Sequence, residues 1–216
     1  MLATQITPSY SESPPQWVRE SALMKAGGCA ILDHFVNAVT CARFLEESKQ
    51  CLHSAVASQV TMSDDEEIRG GNPARSFVSA AGGTVQTEFY HSPQTAQFLA
   101  EICNTPVKPT GRIGTYSYYR PGDHLALHRD IHSCDVSVIT CLLDRHRNTS
   151  NGGITRFYPN RQHEPLSRIR ATPSHGAIRV RLPVGSTMIF FGGLIPHLIE
   201  PLGASELRIV SILCFR

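Results

Sequence analysis

The sequence predicts a mainly β fold, a sandwich or barrel, with helices contributed by its N-terminal part. From Arg112 onward, short β-rich runs follow one another at 112–119, 124–131, 135–143, 153–158, 176–182, 187–192, 196–201 and 206–215, separated by Gly and Pro turn signals. Before them, two stretches carry helical periodicity with recognisable start signals. The length of 216 residues suits one well-buried core and leaves two full domains cramped. We therefore expect a flexible arm at 1–16 and a single domain at 17–216, with helical support at 29–110 and the β core at 111–216.

Taken in order, the arm is rich in Ser and Pro, and Cys29–Val36 reads as a strand. Asn37 is placed to cap a helix running to about Gln59, with Val39, Ala42, Phe44, Leu45, Cys51, Leu52 and Val56 on its apolar face. Asp64–Ala74 is a polar loop broken by Gly70-Gly71-Asn72-Pro73, and its length suits a lid. Phe77–Val85 and Thr87–Phe89 are weak strand candidates around Gly82-Gly83. Pro93 sits at the first turn of a second helix, which stops before Pro106.

Composition excludes several classes. At 41% hydrophobic and 18% charged, the chain is neither disordered nor membrane-like. Its longest apolar run, Met188–Ile199, is interrupted by Gly192, Gly193, Pro196 and His197, short of the ~20 residues a membrane helix needs. The first fifteen residues resemble neither a signal nor a transit peptide, so a cytoplasmic location is expected. Seven scattered cysteines without a Cys-x-x-Cys suggest free thiols in a reducing compartment. Asn148-Thr149-Ser150 matches a glycosylation sequon with nothing else to indicate secretion. Asp64-Asp65-Glu66-Glu67 is an acidic cluster, whereas 145–181 holds eight arginines and one acid, Glu164. That basic stretch is either a solvated surface or a dock for an anionic substrate or carrier.

The chemistry-bearing residues cluster around Tyr119–Asp130. On a strand, side chains two apart share a face, so His128 and Asp130 converge while Arg129 turns away. His197 as a third ligand completes two imidazoles and a carboxylate, the donor set that suits non-haem Fe(II) and leaves coordination positions open. A tight connection centred between Leu202 and Gly203 would set Arg208 opposite His197 across a hairpin. Arg at that place offers a planar fork to a carboxylate. His124 shares the parity of His128 and is a candidate substrate contact; His132, His146, His163 and His175 fall in loops without assigned chemistry.

In order, Tyr119-Arg120-Pro121-Gly122, His128-Arg129-Asp130, Gly152-Gly153-Ile154-Thr155-Arg156-Phe157, the apolar run Pro183–Phe191, Pro196-His197 and Arg208 resemble the Fe(II)/2-oxoglutarate-dependent dioxygenases, within them the prolyl-hydroxylase-like branch. The resemblance covers about residues 29 to 216 and is tight from Tyr119 to Arg208. It implies a double-stranded β-helix, the jelly roll shared with cupins. It also implies that His128, Asp130 and His197 hold Fe(II), that Arg208 binds the distal carboxylate of 2-oxoglutarate, and that Tyr119 helps hold this cofactor, with Tyr116 and Tyr118 as competitors. Thr140 is a further candidate contact, although Val138 and Leu142 of the same parity suggest packing. Because related halogenases lack the carboxylate ligand, Asp130 favours hydroxylation, with O2 consumed and succinate and CO2 released.

The expected substrate is an amino acid, a peptidyl or carrier-bound residue, or a small natural product; nothing in the sequence fixes an oligomeric state. A cupin-type metal enzyme lacks its second motif here and leaves Arg208 without a role. A nucleic-acid or protein demethylase of the same superfamily is a rival, but the alkylated-base demethylases place a second Arg where Cys214 stands, which argues against nucleic acid. A non-catalytic binding module would not need the intact triad.

Overall fold

A computed structural model describes residues 16–58, 66–131, 133–146 and 152–216. The expected arm up to residue 15, residues 59–65 with the first two positions of the expected lid, Asp64-Asp65, and also His132, Arg147 and the sequon at 148–150 lie outside these residues. Gln16, expected to end the arm, opens a short helix, α1 (Gln16–Glu20). Ser21 then caps α2 (Ala22–Lys25), its hydroxyl accepting from Met24 N.

Two antiparallel sheets form the body. The larger has seven strands in the order β1 (Cys29–Asp33), β9 (Ser186–Phe190), β6 (Val136–Arg145), β11 (Leu207–Phe215), β4 (Thr115–Tyr119), β3 (Val78–Ala81) and β2 (Val56–Ala57). The smaller has four: β5 (Leu125–His128), β10 (His197–Ile199), β7 (Thr155–Phe157) and β8 (Ile178–Val180). Every β-rich run expected after Arg112 contains a strand, and the chain passes repeatedly from one sheet to the other, as a jelly roll requires.

This switching overturns the expected hairpin. His197 pairs with His128 and Phe157 in the smaller sheet, whereas Arg208 pairs with Tyr119 and Asp144 in the larger. The segment between them crosses between sheets, so counting register across one turn does not apply.

Helices cover the outer face of the larger sheet. Asn37 caps α3 (Ala38–Cys51), accepting from Thr40 N at 2.9 Å. The helix ends eight residues before the expected Gln59 because its apolar face gives out: Leu52 is 42% and Val56 66% exposed, and Val56 pairs with Ser79 instead. Thr84–Tyr90, expected in part as strand, is helix α4. Its start is capped from a distance, since the Glu47 carboxylate of α3 accepts from Val85 N at 2.7 Å and Gln86 N at 3.0 Å. Pro93 opens α5 (Pro93–Cys103) as expected, and Ser92 caps it by accepting from Thr95 N. One helix, α6 (Leu166–Ala171), lies within the β-rich half; Leu166 and Ile169 bury one face against Leu127 and Tyr158.

The cysteine expectation is also corrected. Cys134 and Cys214 form a disulfide, while Cys29, Cys41, Cys51, Cys103 and Cys141 are free thiols. The bridging partners are 80 residues apart, and only the β6–β11 pairing, which sets Cys214 opposite Ser137, brings them together. No helix among the described residues is long and apolar enough to cross a membrane.

Candidate active site

Between the sheets lies a cavity of about 260 Å3 whose ionisable side chains, among the described residues, are Tyr119, His128, Asp130, His197 and Arg208. His128 ends β5 and His197 begins β10, directly opposite it, so their rings lie with centroids 4.2 Å apart. Asp130 follows just beyond the strand, its backbone N–H held by Gly192 O at 2.9 Å. Its Oδ1 lies 3.4 Å from His128 Nε2 and 3.6 Å from His197 Nε2. Among the described residues this is the one cluster of three such side chains whose ligand atoms all lie within 4.8 Å of one another.

The ring orientation is fixed from behind. His128 Nδ1 faces Ala126 O at 2.8 Å and His197 Nδ1 faces Ile195 O at 2.9 Å, so the carbonyls dictate a proton on each Nδ1 and turn each Nε2 towards Asp130. Burial, joined by His197, lowers the pKa of His128 and keeps the imidazole neutral, with Asp130 opposing. Burial alone would raise Asp130, but His197 and His128 together hold its carboxyl well below the usual range. Two imidazoles and a carboxylate form a donor set that suits a divalent iron.

Three contacts around Asp130 have no local sequence signature. The Ser137 hydroxyl donates to Asp130 Oδ2, and Cys134 Sγ lies 3.2 Å from that hydroxyl. A Cβ on Gly192 would overlap both the Asp130 carboxylate and the Ser137 hydroxyl, so glycine leaves room for the ligand. Arg69 donates to Asp130 O. Arg129 turns away as expected and is fully buried, donating to the carbonyls of Leu194, Ile68, Gln162 and Glu164. It ties the His128–Asp130 segment to its neighbours on three sides.

Arg208 enters the cavity from β11. Its Nη1 donates to Gly153 O, its Nη2 lies 3.3 Å from Asp144 Oδ2, and its buried Nε has no hydrogen-bond partner. A buried N–H without a partner is costly. A carboxylate arriving from the cavity would satisfy it. Gly153 has φ +62°, and a Cβ there would stand 3.2 Å from Arg208 Nη2, so a glycine at this position serves both the turn and the close approach to the guanidinium. Asp144 is clamped by Arg181 at 2.9 and 3.1 Å.

Strand parity separates the tyrosines. Tyr119 lines the cavity opposite Arg208 and stacks on Phe77 at 4.7 Å, and burial pushes its phenol pKa up. Tyr116 and Tyr118 point to the other face, bonding Glu47 and Ser48 O of α3. Thr140 also faces away: its hydroxyl meets that of Thr187 at 2.9 Å, and its neighbour Ile139 lines the cavity instead. His124 does not line the cavity either, its Nδ1 lying 3.3 Å from Ser76 Oγ.

The basic stretch is largely engaged within the fold. Arg156 and Arg179 share Glu200, Arg161 and Arg168 share Glu164, and Arg181 joins Asp144 and Glu206. Five of its eight arginines are thus engaged with acids of the same fold.

No family model matches the chain, and no curated protein matches it in sequence. Solved structures do match. A prolyl-4-hydroxylase from Pseudomonas putida superposes with a TM-score of 0.59 at 14% identity, covering 89% of this chain and 95% of that one. The non-heme alpha-ketoglutarate-dependent epimerase SnoN from nogalamycin biosynthesis gives 0.67 at 15% identity, covering 94% and 81%. An oxidoreductase of the 2OG-Fe(II) oxygenase family from Burkholderia pseudomallei gives 0.63 at 12% identity, covering 94% and 92%. At these identities the likeness is one of fold, and the fold is the one the sequence resemblance implied.

Proposed function

We propose that the chain is an Fe(II)- and 2-oxoglutarate-dependent oxygenase that hydroxylates an unactivated C–H bond. The observation that carries this reading is convergence: three metal-type donors, a guanidinium with an unsatisfied N–H and a buried tyrosine meet in one cavity between two sheets. His128 and His197 present Nε2 and Asp130 presents Oδ1 to the metal. Arg208, through Nε, and Tyr119 beside it hold the distal carboxylate of 2-oxoglutarate. Bound iron and 2-oxoglutarate supply the oxidising power, consuming O2 and releasing succinate and CO2. The protein's part is to orient and to shield. Ser137 fixes the Asp130 carboxylate, and the apolar walls, among them Ile139, Leu182, Met188 and Phe190, exclude water.

The substrate classes in view are an amino acid, a peptidyl or carrier-bound residue, and a small natural product. The test is succinate formation with Fe(II), 2-oxoglutarate and O2 across a panel drawn from these classes. One class should stimulate turnover and give a product that has gained one oxygen atom. Succinate without oxygen gain would redirect the assignment towards the epimerase type, and absence of stimulated succinate across the panel would reject hydroxylation of these classes.

A further inference from the structure

We propose that Arg75 forms a carboxylate subsite at the mouth of the cavity, so that the substrate is a small carboxylic acid whose apolar body enters towards His128 and His197. This rests on the oxygenase reading above and adds the substrate's chemical class to it.

The segment around Arg75 runs as an extended rail beside β5, the strand carrying His128. Ala126 N donates to Ala74 O at 2.8 Å, Ser76 N donates to His124 O at 3.1 Å, and Arg75 bridges Leu125. In extended backbone alternate residues share a side. Ser76 turns to His124, while Phe77 lines the cavity and stacks on Tyr119, so Arg75 shares the side of Phe77. A second depression of about 350 Å3, lined by Ser58, Asn72, Pro73, Ala74 and Arg75, borders the metal cavity, and Ser58 lines both.

Among the described residues the guanidinium there is held by an amide and not by an acid. Its Nη2 donates to the amide oxygen of Asn72, which orients the group without cancelling its charge. Its Nη1 is buried with no hydrogen-bond partner among the described residues, and burial lowers the pKa of the group, with no acid of those residues opposing. Arg208, by contrast, already faces Asp144. A carboxylate at Arg75 would satisfy Nη1 with a charge-assisted bond.

The cavity beyond this point sets the rest of the ligand. Phe77, Leu125, Ile199 and Val210 are among its walls, and its ionisable groups besides Tyr119 and the cysteines are those assigned to metal and 2-oxoglutarate. Small-molecule sites typically offer ~300–1,000 Å3. At about 260 Å3, and shared with 2-oxoglutarate, this one admits only a small apolar body.

The experiment uses full-length protein loaded with Ni(II) and 2-oxoglutarate, so that no turnover occurs and the Arg208 site is filled. Calorimetry then compares straight-chain acids from butanoate to octanoate, 4-methylpentanoate and N-acetylleucine, each against its amide. At least one small acid is expected to bind tenfold or more tighter than its amide, about 1.4 kcal/mol. Arg75→Gln should bring that ratio to within about twofold, and Arg75→Lys should keep part of it, because one charge-assisted bond survives. A tetrapeptide ending in leucine, with its amide, separates a free acid from a peptide C-terminus. The proposal is overturned if no small acid is preferred over its amide, if the preference is confined to the tetrapeptide, or if it persists in Arg75→Gln. The preceding 2-oxoglutarate titration reports separately: failure there defeats the oxygenase reading, while 2-oxoglutarate binding without an acid preference defeats the subsite alone.

Discussion

Arg208 lies directly opposite Tyr119 on adjacent antiparallel strands, so guanidinium and phenol enter the cavity side by side. Arg208→Lys loses the fork and should weaken 2-oxoglutarate binding at least tenfold, since a charge-assisted bond is worth ~1.5–3 kcal/mol. Tyr119→Phe removes a single hydrogen bond to the same carboxylate, charge-assisted by its acceptor, and should weaken binding by about 1.5–3 kcal/mol. Titration of the metal-loaded protein with 2-oxoglutarate measures both, and equal affinities in all three proteins would show that the pair does not hold the cofactor.

Asp130 is positioned by Ser137 and given space by Gly192. Loss of groups that orient a metal ligand typically costs 10–100-fold in metal affinity. Ser137→Ala should fall within about that range. Gly192→Ala should do at least as much harm, because its methyl occupies the place of the carboxylate. Competition titration with a chromophoric chelator reads both, and circular dichroism checks that the fold is retained.

Asp144 is the negative centre between Arg181 and Arg208. Burial would raise its pKa, but the hydrogen bonds and charges of the two arginines outweigh this and lower it from 3.8. A carboxylate depressed by folding contributes stability above its unfolded pKa, and that contribution is lost as pH falls through the folded one. Asp144→Asn should therefore destabilise the protein at neutral pH, by on the order of 3 kcal/mol for a broken buried pair. The deficit should shrink as the pH falls below about 4. Denaturant titration at several pH values measures it; a pH-independent deficit would remove the electrostatic explanation.

The Cys134–Cys214 bridge closes a long loop. Its reduction, or the double Ser variant, should lower stability by about 2–4 kcal/mol through the unfolded chain. Cys134 also touches Ser137, so metal affinity measured before and after reduction tells whether the bridge supports the ligand as well as the fold.

The β-rich half and the convergence of His128 with Asp130 were legible in the sequence because both depend on short-range pattern. The spacing of turn signals located the strand runs, and two-residue parity brought His128 and Asp130 together although the strand stops at His128. Long-range pairing was not legible in this way. The turn-centred register of His197 with Arg208 presumed one sheet, whereas β10 and β11 belong to two. Thr140 illustrates a parity that only the assembled sheet decides: Val138 and Leu142 hinted at its packing role, and Ile139 takes the cavity side. Helix α4 escaped because its cap, Glu47, comes from a distant helix. Ser137, Gly192 and Asp144 carry no motif; their roles follow from what they touch.

The most direct measurement is the visible spectrum of the anaerobic protein with Fe(II) and 2-oxoglutarate. A weak charge-transfer band should appear only when both are present, and it should be lost in His197→Ala. No band in the wild-type protein at saturating Fe(II) and 2-oxoglutarate would contradict the assignment.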